Sequence, residues 1–342
     1  MSRTPLSFRP AVVLLVLLLV SPAFGAASRP ARSDDALLAE LGPGFNTFRT
    51  DHFRIHYDTS RRFAYECSQL FERLYQAFWS SFRGIGVNLK LPEKNIAVII
   101  FKNKESFRGF VAIEGADRLG GFYLQRANQI VFYDAGSDLA SGSMDDPDAR
   151  PPAGAFERLL ADENICRTIH EAAHALCFNL HFFPPDSSPP RWFAEGVATL
   201  FETPRAGRWK GPARFNPERY VAFASARADG TLPSLSTLLT DQDIFFQTDR
   251  MAAAYGAAWT FTFFLYHVRE KEFLALLEKV RAGSLRSDSP DEKRAALRDY
   301  EALLGKPLSE IETEWFTYTD RNARRHRREI EAWRASFPPG PP

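Results

Sequence analysis

The chain has 342 residues, with 43 Lys plus Arg against 42 Asp plus Glu, 7 histidines and a formal charge of +1. That balance lacks the basic excess of a nucleic-acid binder, and a hydrophobic share of 45% with 13% aromatic residues excludes a disordered chain. The length suits one large or two ordinary domains.

Residues 1–25 read as a signal peptide. Arg3 and Arg9 flank the approach to an apolar run at 11–20, Ser21-Pro22 breaks it, and Ala23-Phe24-Gly25 supplies small residues for cleavage. The run is too short to span a bilayer. The expected location is therefore secreted, periplasmic or cell envelope, with no membrane span after signal removal. Residues 26–44 are small, polar and charged, and read as a linker.

From residue 45 the pattern turns globular. Residues 48–58 alternate as a strand, with Phe53, Ile55 and Tyr57 on one face and Arg54 and His56 on the other. His52 and His56 are expected to be solvated on that polar face. Residues 60–82 predict an amphipathic helix with Phe63, Leu70, Leu74, Phe78 and Phe82 inward. A buried strand follows at 95–101, a short helix at 104–113, and two strands at 120–124 and 129–133 joined by 125–128. Residues 135–154 are rich in Gly, Ser, Asp and Pro and read as a surface loop. Asp145, Asp146 and Asp148 make no complete calcium loop.

The chemistry is concentrated in the predicted helix at 162–180, which carries His170, Glu171 and His174. Histidines four apart share one helix face and can reach a single metal ion. Glu171 follows the first ligand and can reach a water on that metal, the arrangement of zinc hydrolases. A catalytic site needs a third protein ligand and an open position. The candidate is Glu195, the lone carboxylate on an apolar face of a second helix, entered through the proline-rich connector 183–190.

Beyond residue 202 the periodicity is helical, at about 217–228, 249–268, 270–282, 291–303 and 309–333, with Ser309 and Glu312 spaced as a capping box. The stretch 251–268 has no Asp, Glu, Lys or Arg and reads as a buried helix. The basic run 321–328 reads as a solvated face. Cys166 and Cys177 lie about 16 Å apart along one helix, too far to bond to each other. Either could pair with Cys67 or remain a buried thiol.

His170-Glu171-x-x-His174 followed by Trp192-x-x-Glu195-Gly196-x-Ala198-x-x-Phe201-Glu202 resembles the gluzincin metallopeptidases, the thermolysin-like clan. Within it the chain is most similar to peptidase-MA-like proteins of a secreted bacterial family. The strong motifs cover 165–202, and weaker similarity runs from about 45 to 318. The resemblance implies an α+β, zincin-like fold, with an N-terminal mixed sheet and helices packed on the metal-binding helix over 45–202. A mainly helical lobe follows at 203–336, with a tail at 337–342. It implies Zn2+ held by His170, His174 and Glu195, with Glu171 as the catalytic carboxylate. Thermolysin-like enzymes often carry an Asp four residues after the third ligand to orient a histidine; here that position is Thr199.

The resemblance also implies a peptide or protein substrate. The substrate backbone would pair with an edge strand at Gly121, Phe122 and Tyr123. Aminopeptidases of the clan have Gly-x-Met-Glu-Asn near this strand, and Gly-Gly-Phe-Tyr stands here instead, which favours an endopeptidase. A hydroxyl or imidazole of the helical lobe would stabilise the oxyanion. Tyr255 is the first candidate, ahead of Tyr266 and His267. Two other functions fit the same residues: an inactive zinc-binding envelope module, and a zinc hydrolase of a non-protein amide or ester.

Overall fold

The structure, a computed structural model, describes residues 34–111, 120–134, 162–205, 208–285 and 289–335. The expected signal peptide, the loop at 135–154 and the tail at 337–342 lie outside them. Within the stretch expected to be linker, Asp34–Leu41 is a helix, α1, which buries Leu37.

Five strands form one mixed sheet: β1 (Asn46–Arg49), β2 (Phe53–Tyr57), β3 (Ile96–Phe101), β4 (Gly121–Leu124) and β5 (Gln129–Tyr133), in the order β1-β2-β3-β5-β4. β2, β3 and β5 run parallel, and β1 and β4 are antiparallel on the two edges. The side-chain period of two divides the sheet into two cores. Phe53, Ile55, Val98, Ile100, Tyr123, Ile130 and Phe132 face the main core. Ala97, Ile99, Phe101, Phe122, Leu124 and Val131 face a smaller one under α1 and α3 (Lys104–Val111).

On the main face lies α2 (Arg61–Gly84), whose five expected inward residues are all buried and whose N-cap is Ser60, accepting from the Phe63 N–H. Between α2 and the sheet edge runs α4 (Asp162–Asn179), buried from Thr168 to Phe178. It ends where His181 takes a left-handed conformation (φ 56) and the Phe183 N–H bonds back to the Cys177 carbonyl. The chain then enters α5 (Arg191–Thr199) through Pro190 at its N-cap, as the two prolines foretold. Cys67, Cys166 and Cys177 are buried free thiols.

After a two-stranded hairpin (β6, Pro204–Arg205; β7, Arg208–Trp209) the chain is helical: α6 (Pro217–Ala228), α7 (Leu235–Thr240), α8 (Met251–Val268), α9 (Glu270–Arg281), α10 (Pro290–Leu304), α11 (Leu308–Arg325) and α12 (Arg327–Ala335). The predicted helix at 309–333 is thus broken at His326 (φ −102, ψ 19). The capping box is formed at α10 by Ser289 and Glu292, whereas α11 begins after Pro307 and Glu312 instead accepts from the Leu235 N–H.

α8 is a core helix, packed on α5, α6, α9 and α11, and among the described residues no helix is long and apolar enough to cross a membrane. The apolar cluster on the main face of the sheet continues without a break through α8 to Ile330. Phe78 and Phe82 of α2 meet Phe182, Phe201 and, from α9, Phe273. Each such ring contributes about 1.5–3 kcal/mol on burial. This aromatic block packs against the segments that follow α4 and α5 and ties the two metal-facing helices to α2.

Candidate metal centre

His170 and His174 project from one face of α4, and α5 brings Glu195 to meet them. The Nε2 atoms of the two histidines are 3.0 Å apart. Glu195 Oε2 is 3.2 Å from one and 3.3 Å from the other. All three residues are buried, and they are the group among the described residues able to hold a metal ion.

The donor set fits a metal. Atoms bound at about 2.0–2.1 Å to a tetrahedral ion lie about 3.3 Å apart, close to the triangle observed. With both Nε2 atoms unprotonated, they and the Glu195 oxygen would present three converging lone pairs and one site for a cation. Without an ion between them, burial opposes the charged His170 ring, but Glu202 and Glu195 push its pKa up to about 10. Burial alone would raise the pKa of Glu195, but the facing histidines overcome it and hold the carboxyl below the usual range.

The outer contacts of the ligands are specific. Glu202 accepts from His170 Nδ1, which leaves Nε2 as the metal-facing nitrogen. Arg219 on α6 clamps Glu202 in turn, with Nε donating to Oε2 (2.8 Å) and Nη2 to Oε1 (3.1 Å). Burial opposes the ionised form of Glu202, yet Arg219 and His170 keep its pKa low. The carboxylate that fixes the His170 ring is therefore Glu202. Thr199, at the position where an Asp is common, bonds only within its own helix, to the Gly196 carbonyl at 2.8 Å. Glu202 lies past the end of α5, where the chain doubles back, and its Asn216 contact (Nδ2 to the Glu202 carbonyl, 2.6 Å) holds it there.

Glu171 lies beside the triad and is 1% exposed. Its oxygens make no side-chain hydrogen bond among the described residues, and the Tyr123 backbone N–H lies close enough to favour the ionised form. Burial pushes its pKa up to about 8, Glu195 and Glu202 add to the rise, and His170 and the Tyr123 backbone N–H oppose it. Three carboxylates, Glu171, Glu195 and Glu202, thus stand against two guanidiniums, Arg191 and Arg219, in one buried cluster.

Tyr255 reaches this cluster from the helical lobe. Its ring centroid is 6.2 Å from that of His170. It shares a face of α8 with Ala258 and Thr262, the residues against which Gly196 of α5 packs. A Cβ on Gly196 would fall 2.0 Å from Thr262 Oγ1, so glycine beside the ligand Glu195 permits this approach. Gly256 does the same on the other side: a Cβ there would lie 2.9 Å from the Arg219 carbonyl. Burial raises the Tyr255 phenol well above its ordinary pKa, with Glu195 adding to the rise, so it is a neutral donor. Tyr266 and His267 lie about 16–18 Å further along the helix. Tyr266 packs on Phe82 and Phe273, and His267 Nε2 meets the Ala213 carbonyl at 3.1 Å.

Gly121, Phe122 and Tyr123 form the edge strand β4, which packs beside α4 and, among the described strands, pairs with β5 alone. Tyr123 stacks on Phe178 of α4. Its hydroxyl donates to Asn128 in a network with Asn179 at the end of α4. By contrast, His52 and His56 build no second metal group. His52 pairs with Glu72 at 2.6 Å, and His56 is buried against Thr47 instead of solvated, because α2 and β1 close over both.

Fold and site together define an α+β protein with a buried His-His-Glu group able to hold a metal ion. Residues 164–284 match the model of a family described as "Protein of unknown function (DUF1570)". That span contains the metal-facing triad, Glu171, Glu202, Arg219 and Tyr255. No curated protein matches the chain.

Proposed function

We propose that the chain is a zinc-dependent peptidase of the gluzincin type, an endopeptidase of the secreted or envelope compartment. The observation that carries this reading is the convergence of His170, His174 and Glu195 with a buried Glu171 that no side chain hydrogen-bonds among the described residues. The five-stranded sheet with an antiparallel edge strand beside the metal-facing helix agrees with a zincin-like fold.

His170, His174 and Glu195 would hold the ion. When bound, zinc supplies Lewis acidity, which polarises a scissile carbonyl and acidifies water to a pKa of about 7. Glu171 takes the proton of the attacking water on a carboxylate oxygen and returns it to the leaving nitrogen as the C–N bond breaks. Tyr255 donates its hydroxyl hydrogen to the oxygen on which negative charge develops. The backbone of Gly121–Tyr123 pairs with the extended substrate and aligns the scissile bond without selecting one side chain. Glu202 and Arg219 hold His170 in the tautomer the ion requires.

A second reading, a metal-holding module without turnover, is favoured by one observation: Glu171 and the three ligands are buried to within 1% of complete coverage. One experiment separates the two. Purified protein is analysed for metal and incubated with casein, with and without a chelator. One zinc per chain and chelator-sensitive cleavage, restored by added zinc, are expected. His174→Ala should lose the zinc, and stoichiometric zinc in that variant removes the ligand set. Zinc without cleavage supports the module. Cleavage only of small amides or esters replaces the peptidase reading with the non-protein hydrolase.

A further inference from the structure

The two oxygens of Glu195 are in different surroundings. Oε2 lies between the Nε2 atoms of His170 and His174. Oε1 is turned the other way, 3.6 Å from Nη1 of Arg191. Arg191 is the first residue of α5 and stands four positions before Glu195, so the two share one helix face. Its guanidinium is buried and lies over the Phe246 ring at 4.3 Å. A planar cation stacked on an aromatic face keeps its orientation better than a free ammonium does. Asp243, in the short 3-10 turn Asp243–Phe245 that precedes Phe246, adds a negative charge on the same side.

A carboxylate can bind a metal through one oxygen or through both. Two-oxygen binding would take the position that a hydrolytic site must keep open. Nothing in the triad itself forbids it, because rotation of the Glu195 carboxylate would bring Oε1 round. The cation on the far side opposes that rotation. It stabilises negative charge on Oε1 where Oε1 stands, and turning the oxygen away would give up that contact between buried charges.

Resting on the metal reading of the site, we propose that Arg191 is a positioning residue that restricts Glu195 to one-oxygen ligation and so keeps a coordination position free for the substrate. Arg191 acts through Glu195 and does not touch the reacting atoms. The role is distinct from that of Arg219, which acts on His170 through Glu202.

The test uses Co2+ in place of zinc, because the visible absorption of cobalt is strong in four-coordinate sites and weak in five-coordinate ones. Spectra are recorded for the wild-type protein, for Arg191→Met, which keeps an apolar stem on Phe246, and for Arg191→Lys, which keeps the charge. The wild type should give the strong four-coordinate bands. Arg191→Met should lose several-fold in visible absorption at full cobalt occupancy, and Arg191→Lys should recover most of it. An Arg191→Met spectrum that superimposes on the wild type, with folding confirmed by far-ultraviolet circular dichroism, overturns the proposal. If Arg191→Met does not fold, Phe246→Ala carries the test, since it frees the guanidinium plane and leaves the charge. The same loss in smaller measure is then expected, and an unchanged spectrum is the overturning result. A wild-type protein that takes up no divalent ion overturns the metal reading itself, and the role of Arg191 with it.

Discussion

Glu202 and His170 are bonded to each other although they belong to different elements, one beyond the end of α5 and the other in the middle of α4. The contact closes a loop: α4 supplies the histidine, α5 brings Glu195 against it, and the turn after α5 returns a carboxylate to the first helix. Arg219 ties that carboxylate to the helical lobe. Glu202→Gln removes the charge and leaves Arg219 without its carboxylate. Metal affinity, measured by competition with a chromogenic chelator, should fall about 10–100-fold. Stability should fall by about 3–5 kcal/mol, as for other broken buried pairs, so the titration belongs well below the unfolding temperature. Thr199→Val is the control. Its hydroxyl serves only the Gly196 carbonyl, and metal affinity should be unchanged.

Glu171→Gln keeps the size of the side chain and cannot accept a proton. Zinc content should be retained, and hydrolysis of a substrate cleaved by the wild type should fall by roughly 10²–10⁴-fold. Wild-type turnover in this variant would remove Glu171 from the mechanism. Thermal stability should hold near neutral pH and rise slightly at alkaline pH, because burial raises the Glu171 pKa to about 8 and the amide replaces a carboxyl that is costly to ionise there.

A pH effect on stability is expected far from the metal. His56 is buried, and burial first, then Arg54 and Arg49, push its pKa down from 6.5 to about 4. The folded protein therefore keeps the ring neutral where the unfolded chain protonates it. Stability is full above about pH 6.5 and is lost as the pH falls toward about 4, by roughly 3 kcal/mol at most from this group. Urea unfolding of wild type and His56→Gln checks it. Gln still offers Thr47 a hydrogen bond, and the difference between the two proteins should change in favour of the variant as the pH drops.

Much of this architecture was legible from periodicity. The period-two strands, the amphipathic α2, the buried α8 and both metal-facing helices follow from apolar spacing and proline placement, and they lie within a few residues of expectation. The convergence of His170, His174 and Glu195 was legible for the same reason: two histidines and a glutamate on apolar faces of adjacent helices are brought together when those faces pack. Glu202 was visible in the motif, but its role was not. Its partner lies 32 positions earlier, and no local pattern encodes a contact made after a helix ends. Arg191 and Arg219 were equally silent, because an arginine at a helix start reads as a surface residue until the fold buries it, as at Arg191, or largely covers it, as at Arg219. The burial of His56 escaped for a related reason. Alternation places it on the second face of the sheet, and only the tertiary structure covers that face.

The placement of Tyr255 follows from small residues on two neighbouring helices. Gly196 lets α8 approach α5 until Ala258 and Thr262 touch its backbone, and Gly256 lets α6 approach α8 from the other side. Between these contacts Tyr255 is fixed one helical turn from Ala258, with its ring near His170 and under the Arg219 guanidinium at 5.3 Å. Phe245 packs edge-on against the same ring at 5.4 Å. The ring is thus held from three sides, and its hydroxyl stays protonated because burial disfavours the phenolate. On the proposed mechanism, such a donor would strengthen its bond as negative charge develops, and so would lower the barrier more than it tightens substrate binding. Tyr255→Phe should keep zinc and fold, lose roughly 10–10³-fold in kcat, and leave KM little changed. Tyr266→Phe, about 16 Å along the helix, should be neutral in the same assay. A Tyr255→Phe enzyme with unaltered kcat would show that the hydroxyl only packs. Gly196→Ala supplies an independent check. The added methyl collides with Thr262, so α8 must shift, at a cost of about 1–3 kcal/mol. Its kcat should fall even though no group that touches the substrate has been changed.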